Sequence, residues 1–139
     1  MKLTLDVENT VTKRDGKMHL DPFEPENSLT MIGVLTDQGM EQHFPFDHAD
    51  VPNQQDHYER VQWYLDEATI LICHNAAYDL MWLWESGFKY DGPVFDTMLA
   101  EYVLQRGIKE PLSLEACAER YKLDTKKQDT LKEYFAKGY

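Results

Sequence analysis

Three carboxylates in this chain have the types and spacing to hold metal ions. Leu3–Glu8 reads LTLDVE, which places Asp6 and Glu8 two residues apart in a strand-like run. Residues at i and i+2 of a strand point to one face. Two carboxylates on one face repel each other unless a cation sits between them. Carboxylate oxygens suit hard divalent ions such as Mg²⁺ and Mn²⁺. The third acid is Asp79, in ILICHNAAYDLMWL, about one turn into a helix that follows an apolar strand. Sites in open α/β sheets gather beyond the strand C-termini, so Asp6, Glu8 and Asp79 are expected to converge. The chemistry such a trio suits is two-metal hydrolysis of a phosphodiester. The plainer readings are a solvated strand end for the pair and a first-turn acid favoured by the helix dipole for Asp79. Asn75, just before the helix, is expected to cap it or to hold substrate. Asp96 is expected to support the site or to cap its own helix.

The elements that must position these groups read as an α/β fold. Residues 2–7 alternate as a strand, and 10–28 are polar and Pro-rich, expected as a long loop. LTMIGVLTD, residues 29–37, reads as a strand that turns at Asp37-Gln38-Gly39 into a partner over 40–46. Residues 57–67 have a helical pattern, 69–73 read as a buried strand, and 76–86 as an apolar helix ended by Gly87. A short extended piece at 93–95 leads to helices over 96–105, 113–121 and 128–136. Ser113 is placed to cap the second of these. The order predicts a mixed sheet flanked by helices.

At 139 residues the chain is of one-domain length, spanning 1–139, and it is 42% hydrophobic. No apolar run approaches membrane-spanning length, and no secretory signal opens the chain. Cys73 and Cys117 form no CxxC pair, so a reducing cytoplasm is the simplest setting. The net charge is −11, from 14 Lys and Arg against 25 Asp and Glu. That balance argues against unaided binding to nucleic acid. Metals at the acids, and a larger partner, would have to supply the grip. Lys126 and Lys127 are candidates for the DNA backbone, or else a solvated basic turn. Tyr78, Trp82 and Trp84 are candidates for stacking on a base, against core packing as the plainer reading.

LDVE, then HNAAYD, then VFDTMLAEYVL and LSLEACAERY, resembles the proofreading 3'-5' exonuclease domain of bacterial and phage A-family DNA polymerases. That domain belongs to the DEDD exonuclease superfamily, with a ribonuclease H-like fold. The resemblance runs from Leu3 to at least Tyr121, and KKQDTLKEYFAKGY looks like phage members. It implies that Asp6, Glu8 and Asp79 bind two Mg²⁺ or Mn²⁺ ions. It implies that Asn75 shapes the substrate end and that Asp96 supports the site. It implies a single-stranded or frayed DNA 3' end as substrate. The implied partner is a polymerase domain or a second copy of the chain, and the implied location is the cytoplasm of a bacterial host.

One departure stands out. The family's third motif is Tyr, three residues, then Asp; here Tyr121 is followed four positions on by Thr125, and Tyr134 by Gly138. No fourth carboxylate is therefore matched. The expectation drawn from this is a C-terminally truncated domain, inactive as this fragment or completed by a partner. Two rival readings follow: a non-catalytic docking piece of a replication protein, and a 3'-5' RNA exonuclease of the same superfamily.

Overall fold

The structure, a computed structural model, describes residues 1–46 and 54–123. The chain divides into two units, Met1–Ala100 and Glu101–Tyr139. In the first, the strands are β1 (Lys2–Asn9), β2 (Thr12–Arg14), β3 (Lys17–His19), β4 (Leu29–Thr36) and β5 (Glu41–Pro45). Helix α1 (Gln54–Glu67), strand β6 (Ile70–Cys73), helix α2 (Ala76–Glu85) and strand β7 (Val94–Asp96) follow. Helix α3 (Thr97–Leu104) crosses the division, and α4 (Leu114–Arg120) lies in the second unit.

The sheet has the order β5-β4-β1-β6-β7. The β1–β4 and β4–β5 pairs are antiparallel, while β1–β6 and β6–β7 are parallel. This is a mixed α/β sheet flanked by helices, consistent with a ribonuclease H-like fold. Burial on β1 alternates strictly: Leu3, Leu5 and Val7 are buried, while Thr4, Asp6 and Glu8 are exposed. The buried row meets Ile32 and Val34 of β4, Leu71 and Cys73 of β6, and Val61, Leu65, Trp82 and Leu83 of α1 and α2 in one core. Burying a large apolar side chain contributes about 1.5–3 kcal/mol. That is the force that sends the acids to the opposite face.

The 10–28 segment is not plain loop. It folds back as the β2–β3 hairpin about Asp15-Gly16, whose φ values are 51° and 76°. Left-handed φ at both central residues is the turn that matches strand twist, and Asp-Gly is its usual sequence. Strands of only three residues hid it. In the second unit, Glu101 of α3 accepts hydrogen bonds from Arg120 at 3.2 Å and from the Tyr121 hydroxyl at 2.6 Å. The Tyr121 bond, with Arg120, holds the Glu101 carboxyl below its ordinary range. Ser113 caps α4 as expected, its Oγ accepting from Ala116 N at 3.1 Å. The expected helix over 128–136 lies outside the described residues.

Candidate active site

β1 delivers Asp6 and Glu8 to the exposed sheet face, as the alternation predicts. They line a groove of about 320 Å³ with Met31, Gly33 and His43. Gly33 faces Asp6 in register and His43 on its other side. A Cβ at Gly33 would stand 3.3 Å from His43 Nδ1, so the glycine gives the imidazole room to lie against β4. His43 Nε2 pairs with Glu41 at 3.1 Å.

Asp79 arrives from the other side. Pairing of β1 with β6 stops at Thr4↔Ile72, yet β1 runs on to Asn9. Beyond that point β1 has no partner from β6, and Asp79 comes to this edge from α2. It is only 2% exposed, and its Oδ2 has no hydrogen-bond partner. Burial first, and then the charge of Asp6, push its carboxyl up to about 7. The nearby Cys73 thiol and Val7 amide offset part of that rise. Burial and the charge of Asp79 together push the Cys73 thiol well above its ordinary value, so it stays a neutral group. Cys73 and the Val7 amide are neighbours that the linear sequence gave no signal for.

Asp96 has a different role from that of a ligand. Its Oδ1 accepts from Asn75 N at 3.0 Å, and its Oδ2 from Ala76 N at 3.0 Å. The same Oδ1 accepts from Met98 N at 2.9 Å. One carboxylate thus caps both α2 and α3. Burial works to raise its pKa, but the amide donors outweigh that and hold the carboxyl below its ordinary range. The expectation that Asn75 itself caps α2 is corrected here. Asn75 sits in the left-handed region, φ 66°, and its side chain makes no cap bond. An asparagine tolerates that conformation, and its exposed amide remains at the mouth of α2. Thr97 Oγ1 lies 2.9 Å from His74 Nδ1 and 3.3 Å from the Cys73 carbonyl, tying the end of β6 to the start of α3.

The aromatic candidates separate cleanly. Trp82 is 3% exposed, and its Nε1 donates to the Leu20 carbonyl at 3.1 Å, so it is core. Tyr78 is half-buried, with its hydroxyl on Asn9 Oδ1 at 2.5 Å and Leu20 O at 3.2 Å. Trp84 is 56% exposed. Lys126 and Lys127 lie outside the described residues.

A divalent cation is consistent with part of this arrangement. A buried carboxylate oxygen without a partner, in a carboxyl raised first by burial and then by a second acid, carries negative charge that a hard cation would neutralise. Among the described residues, however, no group of three His, Cys, Asp or Glu side chains is gathered closely enough to hold an ion. Asp6 lies close enough to Asp79 for its charge to act on that carboxyl, but the expected convergence of Asp6, Glu8 and Asp79 into one such group is not seen. Among the described residues no helix is long and apolar enough to cross a membrane.

No curated protein matches this chain. A family model described as 3'-5' exonuclease matches residues 18–137. The match takes in Asn75, Asp79 and Asp96 and starts after Asp6 and Glu8, whose candidacy rests on β1 itself. With the sheet order, the strand-borne acids and a match over most of its length, the chain belongs to the 3'-5' exonuclease family of A-family DNA polymerases.

Proposed function

We propose that the chain forms one domain, residues 1–139, that removes nucleotides from the 3' end of DNA with divalent metal ions. The observation that carries this reading is Asp79: a carboxyl with an unpartnered oxygen, raised first by burial and then by the charge of Asp6, within a 3'-5' exonuclease family match. Asp6, Glu8 and Asp79 would hold the ions. Bound there, Mg²⁺ or Mn²⁺ would supply a nucleophilic water near neutral pH and would offset negative charge at the phosphate and the leaving 3' oxygen. Asp96 fixes the start of α2, and so the place of Asp79 one turn on. Asn75, exposed at that start, is the group for the terminal nucleotide, with Tyr78, Lys126 and Lys127 as further substrate contacts. The substrate is a single-stranded or frayed 3' end, and the product is a nucleoside 5'-monophosphate. A polymerase domain or a second copy is the partner that brings the 3' end, because the net charge of −11 repels DNA.

The test is Mn²⁺-dependent degradation of 3'-labelled and 5'-labelled single strands by this chain beside its Asp6→Ala variant. Stepwise loss from the 3' end by the unaltered chain alone is expected. Equal loss in both would overturn the site. Loss in neither would overturn the activity and favour the non-catalytic docking reading. A parallel RNA strand reads the preference between the two nucleic acids.

A further inference from the structure

Helix α1 has two faces of different kinds. Its inner face, with Val61, Tyr64 and Leu65, is buried in one core with Leu3, Leu5 and Val7 of β1. Its outer face carries Asp56, Glu59, Arg60, Trp63, Asp66 and Glu67, all exposed. These positions recur at intervals of three and four residues, so they form one stripe along the helix. From Asp56 to Glu67 the stripe runs about 16 Å. Glu59 and Arg60 lie one turn before Trp63, and Asp66 and Glu67 one turn after it.

A charged stripe alone is an ordinary solvated helix face. The tryptophan within it is not ordinary. Trp63 is 55% exposed, and apolar area left in water adds nothing to the core. Its ring meets the Tyr64 ring edge-on, with centroids 5.1 Å apart. The Tyr64 hydroxyl lies 3.3 Å from Met40 Sδ, and Met40 is itself 55% exposed. An exposed apolar centre therefore sits among carboxylates.

Those carboxylates are not neutralised by the fold. Asp66 accepts from Gln62 Nε2 at 2.8 Å and Glu59 from Gln55 Nε2 at 3.5 Å, both uncharged donors. The last turn of α1 holds Asp66 and Glu67 and no base, against the helix dipole. The Met1 ammonium reaches the Glu67 carbonyl at 3.4 Å. Among the described residues, none of the four acids of the stripe is in an ion pair.

A partner for this face has to bring cations. An acidic one would set like charges against the four carboxylates, which costs affinity. That disfavours a second copy, whose own α1 is acidic, and it disfavours nucleic acid. An arginine suits the centre, because a guanidinium stacks on an indole and also pairs with carboxylates. A tryptophan ringed by polar groups is a common form of interface anchor. We propose that the outer face of α1 docks a basic protein surface, with an arginine laid on Trp63 and further cations on Asp56, Glu59, Asp66 and Glu67. Asp6 and Glu8 leave β1 on the side away from its buried row, and so away from α1. The docked partner leaves them open, and docking needs neither metal ions nor cleavage.

The test is fluorescence anisotropy of a labelled octa-arginine peptide titrated with the full chain. Trp63→Ala and Asp66→Asn/Glu67→Gln are each expected to weaken binding about tenfold. Trp63→Phe keeps an aromatic face and is expected to recover most of the loss. Glu110→Gln/Glu119→Gln removes the same charge from exposed sites off α1, and it is expected to bind as the unaltered chain does. Equal weakening by the two charge-removing pairs would overturn the proposal, since the peptide would then be held by the acidity of the whole chain. Unchanged binding by Trp63→Ala would overturn it as well. Sedimentation and a labelled oligothymidylate read the other occupants. Self-association or DNA binding that Trp63→Ala abolishes would assign the face to a second copy or to nucleic acid instead. The altered side chains are exposed, and circular dichroism melts that match the unaltered chain show that each variant folds.

Discussion

Two strand-to-helix junctions lie side by side in this sheet, and each delivers one aspartate. The β7–α3 junction delivers Asp96, whose carboxylate is filled by backbone amides from two helices and is held below its ordinary pKa. The β6–α2 junction leads to Asp79, whose Oδ2 is buried and unpartnered and whose carboxyl is pushed up to about 7. The same side chain thus does two jobs a few residues apart in space. A carboxylate whose charge the fold neutralises is architecture. A carboxylate whose charge the fold compensates only in part holds its proton up to about 7.

The sharpest way to break this contrast is to remove each acid in turn. Asp79→Ala should lower metal-dependent cleavage on the order of 10²–10³-fold, the usual loss when a group that stabilises transition-state charge is removed. Calorimetry should show weakened Mn²⁺ binding; unchanged binding would place Asp79 with Asp96 as architecture. The metal-free protein should respond to pH with the opposite sign at the two sites. Asp79 has a raised folded pKa, so the folded state keeps its proton between the ordinary carboxylate range and about 7. Its contribution is then most favourable at low pH and declines as pH rises through that window. Asp79→Asn should remove the penalty and stabilise the metal-free chain by about 1–3 kcal/mol at alkaline pH, with little gain in acid. Urea titrations at both ends of the window read the difference, and an equal gain at both would contradict the assignment.

Asp96→Ala should cost about 2 kcal/mol, roughly one for each helix start it caps. Because its folded pKa is lowered, its contribution is present above the ordinary carboxylate range and is lost as pH falls through the folded value. Thermal melts of Asp96→Ala that match the unaltered chain at neutral pH would refute the double cap. The smallest effect belongs to Tyr78→Phe. It loses the hydroxyl bonds to Asn9 and Leu20 and keeps the ring. About 1 kcal/mol of stability should go, with KM for a single strand unchanged if only the ring meets substrate. A raised KM would show that the hydroxyl's hold on the excursion matters to binding.

The sequence made the acids of β1 legible because alternation from Leu3 to Glu8 leaves no other face for them. The β4–β5 hairpin and the β6–α2 unit were legible for the same reason, a clear apolar rhythm bounded by turn residues. The cap of α2 was not. Its acid lies 21 residues from the amide it serves, so Asn75 was the local favourite and the wrong group. The β2–β3 hairpin was missed because its strands are too short for a rhythm, although Asp15-Gly16 was a sufficient turn signal. The depth at which Asp79 sits follows from where β6 stops pairing, and no local pattern encodes that.

The outer strand β5 ends at Pro45, which has no amide proton, and the Pro45 carbonyl is taken by His57 Nδ1 at 2.9 Å. The opposite border, β7, is only three residues long. Among the described residues neither border offers a long row of free amides and carbonyls for another chain to template on. Growth of this sheet into a continuous ribbon of copies through those two strands is therefore disfavoured.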